Sequence, residues 1–325
     1  MNPIVIDSIG MLTHVGEDAG ASVGAIYTEA RRFDALGFSQ TGAKVPLPDD
    51  MVGIDRLVRL GTYALYEAIY EQLAAEKLGL VVCAPSEEDE PGCQALLEGL
   101  AAESDLAFAP RASCVFASGR EAIFEALPFA CTALMQSDLA AVCILGVDSL
   151  VTKPRLRRLL ERGGTVDLGG RLPGEAAAAV VLTRTTDPQA LALLRGFASA
   201  TEPSVGRQGS PHLGKGLVAA IESAVADAHM TQPMFSGLVH DMAGSASEAE
   251  ELAWAKSSRA LALSSDMRCL FPHVSTGDAS AAMGVLSLAT SAFLIEKGVW
   301  PSAGLCCFTS QTQRGAAILA PVPQT

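Results

Sequence analysis

Short apolar runs alternate along this chain with longer segments in which apolar residues recur at helical spacing. Leu78–Ala84 and Leu139–Val147 are almost continuously apolar, a pattern typical of strands covered on both faces. Asp55–Leu73 has apolar residues at the period of an amphipathic helix. Strands and helices that alternate in this way predict a layered α/β fold.

The stretch Arg111–Ser149 organises the first half of the chain. It predicts a strand at Ala112–Phe116, a turn, a helix at Arg120–Met135 and the buried strand that follows. The helix is apolar or small on nearly every face, which predicts cover on all sides. A residue at its first turn would lie at the positive end of the helix dipole, where a cysteine thiolate is stabilised as a nucleophile. The chain has Ala117-Ser118-Gly119-Arg120 there.

The second half repeats the order of elements in the first. Phe235–His240 corresponds to the strand Leu78–Ala84, and the small-residue helix Ala279–Lys297 corresponds to Arg120–Met135. This predicts a duplicated unit, residues 1–190 and 191–325, that forms one compact body in which two sheets enclose a layer of buried helices. We expect a site where the two buried helices begin, because both positive helix ends converge there.

Three segments have neither period. Asp34–Asp50 is expected to be irregular, and His273–Gly277 is expected to be a strand end and turn. The acidic run Ser86–Gly92, SEEDEPG, is interpreted as a solvated loop.

Composition and charge exclude several classes of function. The formal net charge of −13 argues against binding to nucleic acid or to an anionic membrane. The longest apolar run, Ala279–Ile295, contains three serines and a threonine, which favours a buried helix over a membrane span. The chain starts with an apolar strand and has no basic leader, so we expect a cytoplasmic protein.

Eight cysteines lie mostly within apolar runs, which is typical of small core residues in a reducing compartment. None stands at zinc-ligand spacing from another cysteine or a histidine. We therefore expect neither a metal nor a cofactor.

Four motifs together resemble β-ketoacyl synthases of the thiolase fold. The Gly170–Ala176 segment resembles the family's "G-F-x-x-G-E-G/A" stretch most specifically. The others are Gly146-Val147-Asp148, then His240 followed by Glu248 and Glu251, and last His273–Asp278 followed by Gly284. The resemblance implies a five-layer α-β-α-β-α sandwich. It also implies a dimer that pairs through the strand Ser113–Ala117.

The same resemblance identifies changes at the implied active site. A condensing enzyme needs a cysteine nucleophile, two imidazoles and a glycine-rich loop that supplies an oxyanion-hole amide. No register that keeps the helix brings Cys114 to the turn, and Asp278 stands in place of the second histidine. His273 replaces the family's lysine, and the loop 308–315 lacks the family's glycines. Of the implied set, His240 remains.

Five residues are therefore candidates for a vestigial site: Ser118, Arg120, His240, His273 and Asp278. Three of them have a structural alternative. Ser118 is either a serine nucleophile or a helix N-cap, and the N-cap explains it better. His240 and His273 are catalytic or are satisfied histidines of the core or rim.

A second group of candidates lies in the segment KPRLRRLLER, which concentrates basic residues in an acidic chain. It is either an exposed helix face or a partner-binding site. The residues are Lys153, Arg155, Arg157, Arg158 and Arg162.

Three functions remain open. The first is an inactive ketosynthase-like protein that works by binding, as a subunit like a chain-length factor or as an accessory of type VI secretion effector loading. The second is an active acyltransferase, a 3-oxoacyl-[acyl-carrier-protein] synthase with rearranged catalytic groups. The third is a binder of a small ligand. Under the first hypothesis the partner is a ketosynthase, an acyl carrier, or a secretion adaptor or effector, in a homodimer or a heterodimer.

Overall fold

The computed structural model describes most of the chain. The described residues are 3–37, 40–69, 77–163, 172–184, 189–203, 214–231, 234–243, 245–258 and 267–323.

The first half contains seven strands and five helices among these residues: β1 (Val5–Thr13), α1 (Ala19–Thr28), β2 (Asp34–Gly37), β3 (Gln40–Gly42), α2 (Gly53–Ala68), β4 (Leu78–Cys83), α3 (Leu96–Ser104), β5 (Cys114–Phe116), α4 (Ala122–Gln136), β6 (Ala141–Ser149), α5 (Lys153–Gly163) and β7 (Glu175–Thr183). The second half follows with β8 (Ala192–Thr201), α6 (Lys215–Asp227), β9 (Phe235–His240), α7 (Ala246–Ser257), β10 (Arg268–Leu270), α8 (His273–Thr276), α9 (Met283–Glu296), β11 (Ala303–Thr309) and β12 (Gln313–Ala320). A 3₁₀ turn precedes each of the two central helices, Gly119–Glu121 before α4 and Ser280–Ala282 before α9.

The two halves have the same strand order. Ten strands form one mixed sheet in the order β10-β9-β11-β12-β8-β1-β7-β6-β4-β5. Each half contributes five, with parallel pairs at its outer edge and antiparallel pairs toward the centre. A short antiparallel contact between β1 and β8, at Val5–Leu193 and Ile6–Ala192, joins the halves. The predicted boundary at residues 190/191 lies between β7 and β8 and stays a prediction.

Three apolar clusters define the layers. The middle cluster joins Ile123 and Leu127 of α4 to Leu286 and Leu288 of α9, and it includes residues from both halves of the sheet. A second cluster packs α2 and α3 on the outer face of the first half. A third packs α6 and α7 on the outer face of the second half. The predicted thiolase-like α-β-α-β-α fold is confirmed.

The two central helices differ in how far the chain covers them. Twelve of the fourteen residues of α9 are buried, but only seven of the fifteen residues of α4 are. Gly284 lets the helices approach closely, because a Cβ there would lie 2.9 Å from the Cβ of Ile123. The prediction that α4 is covered on all sides is therefore wrong for the isolated chain.

Two segments without a clear period have regular structure. β2 and β3 pair as antiparallel strands, stabilised when Ala43 pairs with Gly174 and Leu36 packs on Val151 and Leu156. The expected strand end at His273 is the short helix α8. Both depend on contacts distant in sequence, which local patterns do not report.

No helix among the described residues is long and apolar enough to cross a membrane.

Candidate functional site

The starts of the two central helices face each other where the sequence predicts a site. Gly119 and Ser280 open the two 3₁₀ turns, with φ of +64° and +40°. A Cβ on Gly119 would lie 3.9 Å from Ser280 Oγ. The Gly119 N–H donates to the carbonyl of Ala84 at the end of β4, which fixes the turn to the sheet. Glycine suits this turn because side chains rarely adopt positive φ.

Arg120 bridges the two halves from this turn. Its Nη1 donates to the main-chain oxygen of Asp241 at 2.7 Å, and its Nη2 donates to Asp278 Oδ1 at 2.7 Å. The Arg120 side chain is 14% exposed. Burial opposes its charge, but Asp278, Asp241 and Glu248 outweigh burial and raise the pKa of Arg120. The guanidinium therefore stays charged and holds the start of α4 against the second half.

Asp278 receives Arg120 at the start of α9. Its Oδ1 also accepts from the Ser280 N–H at 2.9 Å, so the carboxylate satisfies the first N–H of the 3₁₀ turn. Its main chain pairs with the first half, because the Asp278 N–H donates to Leu172 and the Gly174 N–H donates to Asp278. Asp278 thus connects the two halves through hydrogen bonds of both its side chain and its backbone.

Asp241, which sequence reasoning did not select, completes the bridge. Its Oδ1 accepts from the N–H and Oγ1 of Thr309 at 2.8 and 2.9 Å. Burial raises the pKa of Asp241 to about 7, although Arg120 and Thr309 act in the opposite direction. Asp241 directly follows His240, the last residue of β9. Its position next to this candidate histidine is the signal in the sequence that could have found Asp241.

Glu248 lies in the first turn of α7 and carries a negative charge beside the bridge. It forms a capping box with Ser245 and accepts from the Ala243 N–H at 3.1 Å. Burial favours its neutral form, but the Ser245 hydroxyl, Arg120 and these amides lower the pKa of Glu248 to about 2. The sequence indicated Glu248 only through its spacing from His240.

His240 is a buried, neutral histidine. Its Nδ1 accepts from the Met242 N–H at 3.1 Å, which places the ring proton on Nε2. Burial lowers the pKa of His240 to about 3, so the imidazole is uncharged at neutral pH. This geometry agrees with the structural alternative of a satisfied core histidine.

His273 stands at the first position of α8, near Asp278. Its ring meets Phe271 edge-on at 6.3 Å, and its buried Nδ1 has no hydrogen-bond partner among the described residues. Burial is the main cause that lowers the pKa of His273, with Arg120 and Arg31 acting in the same direction. A neutral ring is therefore favoured here as well.

Ser118 does not join these residues through its side chain. It stands at the N-cap position of the turn, but its hydroxyl caps no backbone N–H. Instead it donates to Glu125 Oε1 at 2.8 Å, on the outer side of α4. The capping interpretation of Ser118 is wrong, because its hydroxyl is turned toward the Glu125 carboxylate, seven residues further along the chain, and accepts no backbone N–H of the turn.

Comparisons of the whole structure show the fold. The chain aligns with the ishigamide ketosynthase/chain length factor at a TM-score of 0.76 and 14% identity, over 99% of this chain and 100% of that one. This is the ketosynthase fold. The ketosynthase from module 6 of the bacillaene synthase of Bacillus subtilis 168 aligns at 0.76 and 11% identity, over 99% and 72%. A type II PKS acyl-carrier protein in complex with its ketosynthase gives 0.73 and 12%, over 99% and 100%. No family model and no curated protein matches the sequence.

The cysteines of this ketosynthase-like chain are poor nucleophiles. Cys83 and Cys114 lie at adjacent strands near the turn, and burial raises the pKa of both thiols, with a further contribution from Glu125. All eight cysteines are free, and for seven of them the pKa is raised above the ordinary value. No thiolate is stabilised at the helix start.

The C-terminal loop of the ketosynthase-like fold holds the helix start through side chains. Ser310 and Thr312 hydroxyls donate to Glu121 Oε1 at 3.2 and 3.3 Å. Together with the bond from Thr309 to Asp241, these bonds connect the loop to the start of α4 and to the end of β9.

The glutamate of the most specific motif has a structural role. Glu175 Oε1 and Oε2 accept from Nη2 and Nε of Arg56, each at 2.7 Å, in a pair that is almost fully buried. Ser149 Oγ and the Val45 N–H also donate to it. These bonds tie α2 to the start of β7.

The basic segment forms α5, but much of it is paired within the chain. Arg155 is only 2% exposed, with Nη1 3.0 Å from Asp89 Oδ1 and Nη2 3.9 Å from Asp148 Oδ2. Arg158 donates to the Asp89 carbonyl and lies 3.8 Å from Glu90 Oε2. Asp89 and Glu90 of the acidic run therefore lie against α5, whereas Glu87, Glu88, Pro91 and Gly92 are exposed, as the interpretation as a solvated loop predicts.

This pairing corrects the predicted basic surface. Arg155 cannot contribute to an exposed face, because its charge is used inside the fold. Lys153 and Arg157 are exposed, and Arg158 is half-exposed. The side chain of Arg162 lies outside the described residues.

No group of three or more metal-ligating side chains occurs in the part of the chain that the structure describes.

Proposed function

We propose that this chain is a catalytically inactive ketosynthase-like protein that acts by binding a protein partner. One observation carries the proposal: the Arg120 guanidinium lies between the end of β9 and Asp278, bonded to both at 2.7 Å. The resemblance assigns the two imidazoles to His240, next to Asp241, and to the position of Asp278. A charged side chain that makes two hydrogen bonds at this place excludes a thioester carbonyl from the space between the two positions.

The remaining groups support the same conclusion. Asp278 is an acid where a donor to a developing oxyanion is required, and the thiol nearest the turn is not activated. Loss of a nucleophile alone removes several orders of magnitude in rate. A rearranged enzyme would need a new nucleophile. The Ser118 hydroxyl donates a hydrogen bond to the Glu125 carboxylate and has no imidazole partner among the described residues to act as its base.

Intact-mass analysis tests this loss of activity. The protein is incubated with acetyl and longer acyl thioesters of coenzyme A and of acyl carrier protein, beside an active ketosynthase as a positive control. We expect no stable acyl adduct on this chain. An adduct that disappears in Ser118→Ala or Cys114→Ala would overturn the proposal and favour the acyltransferase alternative.

The surface proposed for the partner combines an edge strand with an uncovered helix face. Among the described residues β5 ends the sheet, so one side of its backbone has no strand partner there. Beside it, α4 exposes Glu125, Pro128 and Thr132, and half-exposes Phe129. We name β5 with these four residues the pairing face. A second thiolase-fold subunit that adds its own edge strand would cover α4 as completely as the chain covers α9.

The partner classes follow from what is similar to this chain. Solved structures with the same fold include ketosynthase/chain length factor pairs and a ketosynthase with its acyl-carrier protein. They favour a ketosynthase or an acyl carrier as partner. An adaptor or effector of type VI secretion is the other class that we propose.

The exposed part of α5 is proposed as a second, electrostatic contact. Lys153 and Arg157 lie four residues apart and therefore share one helix face. In a chain of charge −13, this face attracts an acidic partner.

Capture from the native host with the full chain as bait, followed by mass spectrometry, identifies the partner. Thr132→Glu places a charge on the pairing face at an exposed position, so we expect normal folding and loss of capture. Lys153→Glu/Arg157→Glu should slow association at low salt and leave the melting temperature unchanged. If neither variant changes association with the recovered partner, both proposed contacts are wrong.

A further inference from the structure

Glu125 is the one charged residue of α4, and it is exposed on the pairing face. Pro128, Phe129 and Thr132 follow it at helical spacing and share its helix face, and the Cys114 thiol of β5 lies within reach of its charge. Phe116 and Phe129 contact each other edge to face at 5.7 Å, which makes the surroundings of Glu125 largely apolar. A carboxylate in such a patch is exposed in the isolated chain and desolvated once the patch is covered.

The chain itself provides little compensation for this charge. Ser118 Oγ donates to Glu125 Oε1 at 2.8 Å, and no cation among the described residues lies within ion-pairing distance of Glu125. The field of Glu125 reaches the neighbouring thiols: it adds to burial in raising the pKa of Cys114 and Cys83. No cation of the described chain offsets the field at either thiol.

A second copy of this chain is a poor occupant for the face. Pairing β5 with β5 of an identical subunit about a twofold axis brings both Glu125 carboxylates into one interface. Like charges across an interface cost several kcal/mol, and a buried carboxylate without a cation adds a desolvation penalty. A subunit with Lys or Arg at the facing position avoids the repulsion and offsets the desolvation penalty, because it supplies the missing cation.

We infer that Glu125 makes the pairing face selective for a different protein chain, one that presents a lysine or arginine to this carboxylate, and disfavours a second copy. This inference rests on the proposed function, because it assumes that the pairing face binds a subunit. Beyond that function, it names Glu125 as the residue that discriminates between partners, and it assigns a positive charge to the partner residue that faces Glu125.

Sedimentation velocity of the purified full chain from 1 to about 100 μM tests the inference through self-association. Glu125→Gln keeps the shape and the bond from Ser118 but removes the charge. Glu98→Gln is the matched control, since Glu98 is exposed on α3 and changes the net charge equally. We expect a monomeric parent and control, and self-association at least about tenfold tighter in Glu125→Gln. Adding Thr132→Glu should abolish the gain.

Several outcomes overturn the inference. Self-association of Glu125→Gln within twofold of the parent removes the proposed penalty. A parent that already forms a tight homodimer does the same. If self-association of Glu125→Gln stays tight after Thr132→Glu is added, it arises at another surface. If Glu98→Gln self-associates as tightly as Glu125→Gln, the cause is a general charge effect.

The partner captured from the host separates this inference from the proposed function. If Thr132→Glu does not weaken that complex, the pairing face is not the binding surface and the proposed function fails there. If Thr132→Glu weakens the complex but Glu125→Gln does not, the surface stands and the selective role of Glu125 is wrong. A loss of at least about tenfold in affinity with Glu125→Gln supports both.

Discussion

Replacing Arg120 by methionine tests how firmly the former active site joins the two halves. Methionine keeps an unbranched side chain at the start of α4 but donates no hydrogen bond. The variant loses the bonds to the Asp241 carbonyl and to Asp278 Oδ1, each 2.7 Å long. It also leaves Asp241, Asp278 and Glu248 without their shared cation.

The expected loss of stability follows from the burial of these groups. The side chains of Asp241 and Asp278 are 1% and 5% exposed, and that of Arg120 is 14% exposed. Breaking a buried pair by removing one partner typically costs about 3–5 kcal/mol. Asp278 keeps the Ser280 N–H and Asp241 keeps Thr309, so we expect the lower end, about 3 kcal/mol.

Urea unfolding at pH 7 measures this change in the free energy of unfolding. Arg157→Met, at an exposed position of α5, is the matched control and should change stability by less than about 0.5 kcal/mol. Arg120→Met/Asp278→Asn should be less destabilised than the sum of its single variants, because removing the acid relieves the uncompensated charge. A loss below about 0.5 kcal/mol in Arg120→Met would refute the role of Arg120 as a bridge.

Three further predictions concern buried charge and packing. The pKa of Asp241 is raised from 3.8 to about 7, so the folded state holds a proton that the unfolded state releases near pH 4. The stabilisation from this proton is complete below about pH 4 and is lost as the pH rises to 7, so Asp241→Asn should flatten the dependence of the urea midpoint on pH in this window. An unchanged pH dependence contradicts the raised pKa. Arg155→Met should lower stability by about 3 kcal/mol and Arg157→Met by less than about 0.5 kcal/mol in the same titration, because only the first removes the buried cation beside the buried Asp148 carboxylate. Equal effects would disprove the burial of Arg155. Gly284→Ala should lower the free energy of unfolding by about 1–3 kcal/mol, because its Cβ overpacks against α4. Gly24→Ala, with open space around its Cβ, is the control and should be neutral or slightly stabilising in thermal unfolding. Tolerance of alanine at position 284 would show that the central helices can separate.

The order of elements was readable from the chain. Leu139–Val147 is apolar at every position except the small Cys143 and Gly146, and the structure has β6 there, buried on both faces. Ala279–Lys297 predicted the buried helix α9 for the same reason. Burial on all sides leaves a continuous apolar pattern in the sequence, so these elements and the duplicated order followed from it. The motifs then indicated the ketosynthase fold.

The partners of the charged residues were decided only by the tertiary structure. Arg120 and Asp278 were both recognised as candidates, but the bond between them spans 158 residues, and Asp241 entered the site only through the fold. Arg155 has the same local sequence pattern as its exposed neighbours, but in the fold Asp89 of the acidic run lies against it. A charge at helical spacing has the same local pattern whether it faces water or a carboxylate. Which of the two it meets is set by chain segments far away in sequence, and those come together only when the sheet and the central helices have assembled.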